Sequence, residues 1–192
     1  IWRTVPEGAG CMSQMLDDLM DMVRTPSVNP FDGEMPVPAP EEAMAQLYEN
    51  KLADLGLEVH STPVSQGRRN VWGRLKGSGT GPTIMLAGHM DTVGVEGYDG
   101  PFDPFVKDGK MHGRGACDMK AGLAAYLEVV RRLQASGETL QGDLILAAVV
   151  DEEHAMTGSD HFGLNGPKID HAIIAEPSEL AIDRKSTRLN SS

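Results

Sequence analysis

Three stretches of this sequence are apolar without interruption, and each runs directly into acid or histidine. Ile84-Met85-Leu86-Ala87 leads into Gly88-His89-Met90-Asp91, Leu144 to Val150 into Asp151-Glu152-Glu153, and Ile173-Ile174-Ala175 into Glu176-Pro177. A strand with one wet face alternates apolar and polar residues, whereas a run that is apolar throughout belongs to a strand covered on both faces. Such strands need helices above and below them. The sequence supplies these in alternation, which predicts an α/β fold.

Met12 to Val23 carries Met15, Leu16, Leu19, Met20 and Val23 at helical spacing, and Pro26 and Pro30 end that helix in a loop. A second helix spans Glu41 to Leu55, opened by Pro40 and stopped by Gly56. Leu57–Pro63 and Asn70–Lys76 read as strands. Gly77-Ser78-Gly79-Thr80-Gly81 reads as the hairpin turn from the latter into Thr83–Gly88. Met119 to Leu133 is apolar nearly all round and predicts a buried helix. Ala155–Leu164 reads as a short helix, and His171–Ala175 as a last buried strand. The expected architecture is a three-layer α/β/α sandwich with a central mixed, largely parallel sheet.

The 192 residues carry a formal net charge of −11 and no basic run, which argues against a nucleic-acid surface. No apolar run approaches the roughly 20 residues of a membrane span, and no signal peptide opens the chain. Cys11 and Cys117 cannot form a disulfide framework, so a reducing, cytoplasmic setting is expected. Cys11 reads as a small core residue. The glycine cluster at 77–81 lacks the Lys-Ser/Thr that would hold a nucleotide, which argues against a phosphate loop.

Strand ends in open α/β sheets face a common crevice. The residues after the apolar runs, with Asp118 after the Met111–Gly115 segment, therefore bring His89, Asp91, Asp118, Glu152, Glu153 and Glu176 towards one place. So many acids need a counter-charge, and divalent ions supply one to carboxylate and imidazole together. His89 and Asp91 are two apart, so in an extended segment their side chains point the same way. That suits a metal-binding histidine steadied by a carboxylate. Glu152 and Glu153 are adjacent and point apart, so one can hold metal while the other stays free to shuttle protons. Zinc fits mixed imidazole and carboxylate donors, and cobalt or manganese fits too. His60, His112, His154, His161 and His171 have no partner at a telling spacing, although His112 could line the pocket.

Taken together, Met85 to Val93, the run Gly113-Arg114-Gly115-Ala116-Cys117-Asp118-Met119-Lys120-Ala121-Gly122, Asp151-Glu152-Glu153 and Ala175-Glu176-Pro177-Ser178 resemble the M20 family of metallohydrolases. That family includes acetylornithine deacetylase, succinyl-diaminopimelate desuccinylase, aminoacylase and glutamate carboxypeptidase-like enzymes. The resemblance implies metal-dependent hydrolysis of amide bonds in N-acyl amino acids or small peptides, with two Zn2+ ions per complete site. It implies His89 and Glu176 on one ion, Asp118 bridging both, Glu153 on the second, Glu152 as general acid/base and Asp91 as the partner of His89. It also implies a cis peptide between Asp118 and Met119.

The family's lid domain, often used for dimerisation, and its last metal-binding histidine are absent from these residues. Residues 1–182 are therefore expected to be the N-terminal part of a catalytic domain that is inactive alone. Residues 183–192, Asp183 to Ser192, are abruptly basic and polar and resemble translated sequencing-adapter DNA, so they are set aside as non-native. Deacylase and peptidase readings stay open, as does a non-catalytic metal-binding relative.

Overall fold

The computed structural model describes residues 9–35 and 37–178, with side chains from residue 14 onward. The expectations for Cys11 and for residues 183–192 lie outside what it describes.

Helices α1 (Ala9–Arg24) and α2 (Glu42–Asp54) precede a hairpin of β1 (Glu58–Ser65) and β2 (Arg68–Leu75). Next come β3 (Ile84–His89), a small hairpin of β4 (Phe105–Lys107) and β5 (Lys110–His112), and α3 (Lys120–Ser136). Then follow β6 (Leu144–Val149), α4 (Thr157–Asn165) and β7 (His171–Ile174). The five-stranded sheet has the order β1-β2-β6-β3-β7. β2 pairs antiparallel with β1 and β6, while β3 pairs parallel with β6 and β7. The sheet is thus mixed, with its parallel half at the end that carries His89.

β6 shows why an uninterrupted apolar run means burial on both faces. Its Leu144, Leu146 and Ala148 join the core built with Leu19 and Met22 of α1, Tyr48 and Leu52 of α2, and Leu123 and Leu127 of α3. Its Ile145, Ala147 and Val149 join a second, smaller core with Trp72 and Phe162 of α4. Alternate residues point to opposite faces, and here both faces are dry. Three helices therefore cover one face and α4 the other, as the three-layer expectation requires. Truncating a leucine at the centre of such a core costs about 2–5 kcal/mol.

The structure corrects four expectations. Gly77–Gly81 is not a hairpin turn, because β6 lies between β2 and β3. The glycines instead let this connection lie against the chain entering β6. Ser78 N donates to Leu140 O and Thr80 N to Gln141 O, and a Cβ at Gly77 would fall 2.2 Å from the carbonyl oxygen of Gly142. Among the described residues, β7 is not a buried strand but an edge strand paired with β3 alone, and Ile173 and Ile174 are 56% and 61% exposed. α3 is not buried all round, since Val129 faces outward. The Met111–Gly115 segment contributes to a separate two-stranded sheet, so Asp118 does not follow a strand of the main sheet.

Candidate metal centre

β3 and β6 run parallel and end side by side, with His89 level with Val149. The residues beyond these two ends form the crevice. The His89 loop is held on one side by Met90 N donating to Val149 O. On the other side Ser27 Oγ donates to Met90 O at 2.6 Å, and the chain after α1 runs alongside, with Thr92 N donating to Ser27 O and Asn29 N to Thr92 O.

His89 is buried, and its Nδ1 lies 2.9 Å from the backbone oxygen of Asp91. A carbonyl only accepts, so Nδ1 carries the proton and donates, leaving Nε2 directed at the acids. Asp91 Oδ1 lies farther from the ring, 3.5 Å from Nδ1. Of the residue that the His-x-Asp spacing pairs with His89, the main-chain oxygen makes the close contact and the carboxylate the longer one. The Asp91 carboxylate has other work, because Oδ1 accepts from Glu152 N and Oδ2 from Glu153 N, each at 3.1 Å.

Around Nε2 the structure gathers Asp118 Oδ1 at 3.1 Å, Glu176 Oε1 at 3.6 Å and Glu152 Oε2 at 3.8 Å. Donor atoms of His89, Asp118 and Glu153 all lie within 4.8 Å of one another. Asp118 comes from the turn before α3, where the Asp118–Met119 peptide is cis as the resemblance implied. The buried Met119 side chain lies against Gly88 and Gly122, and its sulfur accepts from His89 N at 3.3 Å. That N–H lies beyond the last residue of β3 that pairs with β7, so the sheet itself offers it no partner there.

The electrostatics are those of a site short of positive charge. Burial disfavours the charged ring of His89, but Asp91, Glu176 and Glu152 outweigh it and lift the ring's pKa to about 9. Burial raises the carboxyl pKa of Glu153, and the charge of Asp118 adds to it. Burial also raises that of Glu176; His89 opposes the rise and Asp118 reinforces it. Neither Lys120 nor Arg114 answers this need. Lys120 is buried and donates to Met22 O and Thr25 O at 2.8 and 2.9 Å, closing the C-terminal end of α1. Burial presses its pKa down to about 7, against the pull of Asp91. Arg114 lies over the Tyr98 ring, 5.3 Å from its centre. One imidazole and several oxygen donors converging without a cation suit a borderline divalent ion, so the residues present fit zinc.

Sequence reasoning passed over two residues beside this centre. Asn29, taken only as part of the loop after Pro26, donates to Asp91 Oδ2 at 2.7 Å and to Asp151 Oδ1 at 3.1 Å. Arg68 is buried between Glu41 and Asp151, donating to both. Their only signal was polarity beside predicted buried elements. Among the other histidines, His60 stacks on Trp72, His112 on Phe105, and His154 Nε2 lies 3.3 Å from Asp32 Oδ1. Cys117 is exposed.

The sequence profile of Peptidase family M20/M25/M40 matches residues 85–190, and the chain belongs to that family. It is 35% identical over 169 residues to a succinyl-diaminopimelate desuccinylase of Gluconacetobacter diazotrophicus, covering 82% of this chain and 41% of that protein. It is also 35% identical over 165 residues to an acetylornithine deacetylase of Proteus mirabilis, covering 83% and 41%. A tripeptidase from Staphylococcus aureus shares the fold, with a TM-score of 0.69 and 23% identity over 86% of this chain and 43% of that one. The chain thus spans about 41% of the length of these curated relatives.

Proposed function

We propose that this chain carries most of the catalytic centre of a two-ion amide hydrolase acting on N-acyl amino acids or small peptides. The observation that carries the reading is the convergence of donor atoms from His89, Asp118 and Glu153 within 4.8 Å, with Glu176 and Glu152 beside the same ring nitrogen. His89 and Glu176 would hold one ion, Glu153 the other, and Asp118 would bridge them. Zinc, or cobalt or manganese in its place, would supply a Lewis acid for the scissile carbonyl and make a nearby water more acidic.

The protein's own contribution is proton handling and orientation. Glu152 lies next to the ligand set and is fixed at its backbone by Asp91. Its carboxylate takes a proton from the attacking water as the C–O bond forms. It returns that proton to the departing nitrogen as the C–N bond breaks, releasing a carboxylate and an amine. Asp91 keeps the His89 ring oriented while holding the Glu152 and Glu153 backbone. The relatives' names favour acyl groups such as acetyl and succinyl on an amino acid. With only Asp118 and Glu153 for the second ion, this 192-residue chain alone is expected to turn over little.

The test is to express the full-length protein with zinc or cobalt and assay amine release from N-acetyl, N-succinyl and dipeptide substrates. Turnover is expected to vanish with a chelator. In Glu152→Gln it should fall by roughly 10²–10⁴ in kcat while the metal stays bound. Metal binding without turnover on any substrate would identify a non-catalytic relative, and no metal binding would end the metal reading.

A further inference from the structure

Asn29 joins two carboxylates that reach the centre from different elements. Asp91 follows β3, Asp151 follows β6, and Asn29 sits in the loop after α1. All three are buried. The orientation of the Asn29 amide is fixed, because its Oδ1 accepts from Phe31 N at 2.8 Å and an N–H cannot face another N–H. Its NH2 group therefore faces the acids and serves both of them.

Each of those acids holds one part of the segment that carries Glu152 and Glu153. Asp91 accepts both of their backbone N–H groups. Asp151 is the residue immediately before them, held by Asn29, by Arg68 and by Thr157 Oγ1 at 2.6 Å. The Arg68 guanidinium spans Asp151 and Glu41, so it reaches only one of the two aspartates that meet at Asn29. Asp91 and Asp151 are thus brought together through a neutral amide. An amide has two N–H donors on one nitrogen and no charge of its own, and no carboxylate or single hydroxyl can match it.

We infer that Asn29 is a positioning residue, which registers the Glu152–Glu153 segment against the His89 loop through Asp91 and Asp151. This rests on the hydrolase reading above. The Asn29 side chain bonds Asp91, Asp151 and Phe31 N rather than the proposed ligands, so it is expected to act on kcat and on ion affinity rather than on substrate binding.

The experiment titrates the full-length protein with Co2+, following its visible absorption, and measures kcat and KM for wild type, Asn29→Ala and Asn29→Asp. For Asn29→Ala, loss of about tenfold or more in affinity for the weaker Co2+ and in kcat is expected, with KM within about threefold, in line with other residues that orient metal ligands. Asn29→Asp is expected to be worse than Asn29→Ala although its shape is closer, because it sets a third carboxylate against two. A residue that merely fills space would give the opposite order. If Asn29→Asp is insoluble, Asn29→Ser, which keeps one donor, is expected to retain more Co2+ affinity than Asn29→Ala. Asn29→Asp milder than Asn29→Ala, Ser no better than Ala, or variants equal to wild type would each overturn the inference alone. A wild type that takes up no Co2+ would overturn it together with the hydrolase reading.

Discussion

At the scale of single residues, the sequence announced the candidate ligands and proton shuttle and hid the side chains packed behind them. His89, Asp118, Glu152, Glu153 and Glu176 stand where apolar runs or a glycine-rich stretch give way to polarity, which periodicity can detect. Asn29 stands in a loop before Pro30 and Arg68 opens β2 just after Gly67, where polar residues are common for many reasons. Their role comes from contacts made 62 and 83 residues away, which no local pattern carries. Lys51 is another residue of this kind, and it makes a testable case. Burial disfavours its charge, but hydrogen bonds to Asp18 at 2.8 Å and Asp21 at 2.9 Å outweigh that and hold its pKa above the ordinary 10.5. A base with a raised folded pKa contributes stability that is complete below its unfolded value and is lost as pH rises through the folded one. Thermal melts should therefore show stability falling above pH 10.5. Lys51→Met should be less stable at neutral pH and should lose part of that alkaline fall. A variant with an unchanged alkaline limb would assign the fall to other groups.

At the scale of elements, the readings that succeeded rested on period and caps, and the ones that failed rested on adjacency. Helices and strands emerged near their predicted places because an apolar period is a property of the segment itself. The glycine run at 77–81 misled because strands adjacent in sequence usually pair, and here a later strand enters between them. Its glycines serve close approach of two backbones. A Cβ at Gly142 would lie 1.9 Å from Pro82 O, a main-chain atom that cannot swing aside. Gly142→Ala is expected to destabilise the fold at or beyond the upper end of the roughly 1–3 kcal/mol typical of overpacking. Gly163→Ala, where a Cβ meets nothing within 4 Å, is the matched control and should be neutral or slightly stabilising. Equal melting temperatures for the two variants would refute this account of the crossover.

At the scale of the whole molecule, the three-layer arrangement was legible because runs buried on both faces leave few alternatives. What the sequence could not show was where burial stops. β7 is as apolar as the inner strands, yet among the described residues it has a neighbour on one side only. An exposed apolar edge is a template for pairing with other chains. Ile174→Lys in this 192-residue chain should lower light scattering on concentration, and an unchanged aggregation rate would place the sticky surface elsewhere.

The sheet order also sets a timetable for synthesis. β2 ends at Leu75 and β6, which must pair with it, begins at Leu144, so the 68 residues 76–143 emerge between the two. At roughly 5–20 residues per second, the β2 edge waits several seconds on the ribosome for its neighbour. The β1–β2 hairpin can close early, but the end of β3 meets that of β6 only after this pause. The crevice is therefore assembled late, and a nascent chain stalled before Leu144 would present β2 and β3 as open edges to chaperones or to its neighbours.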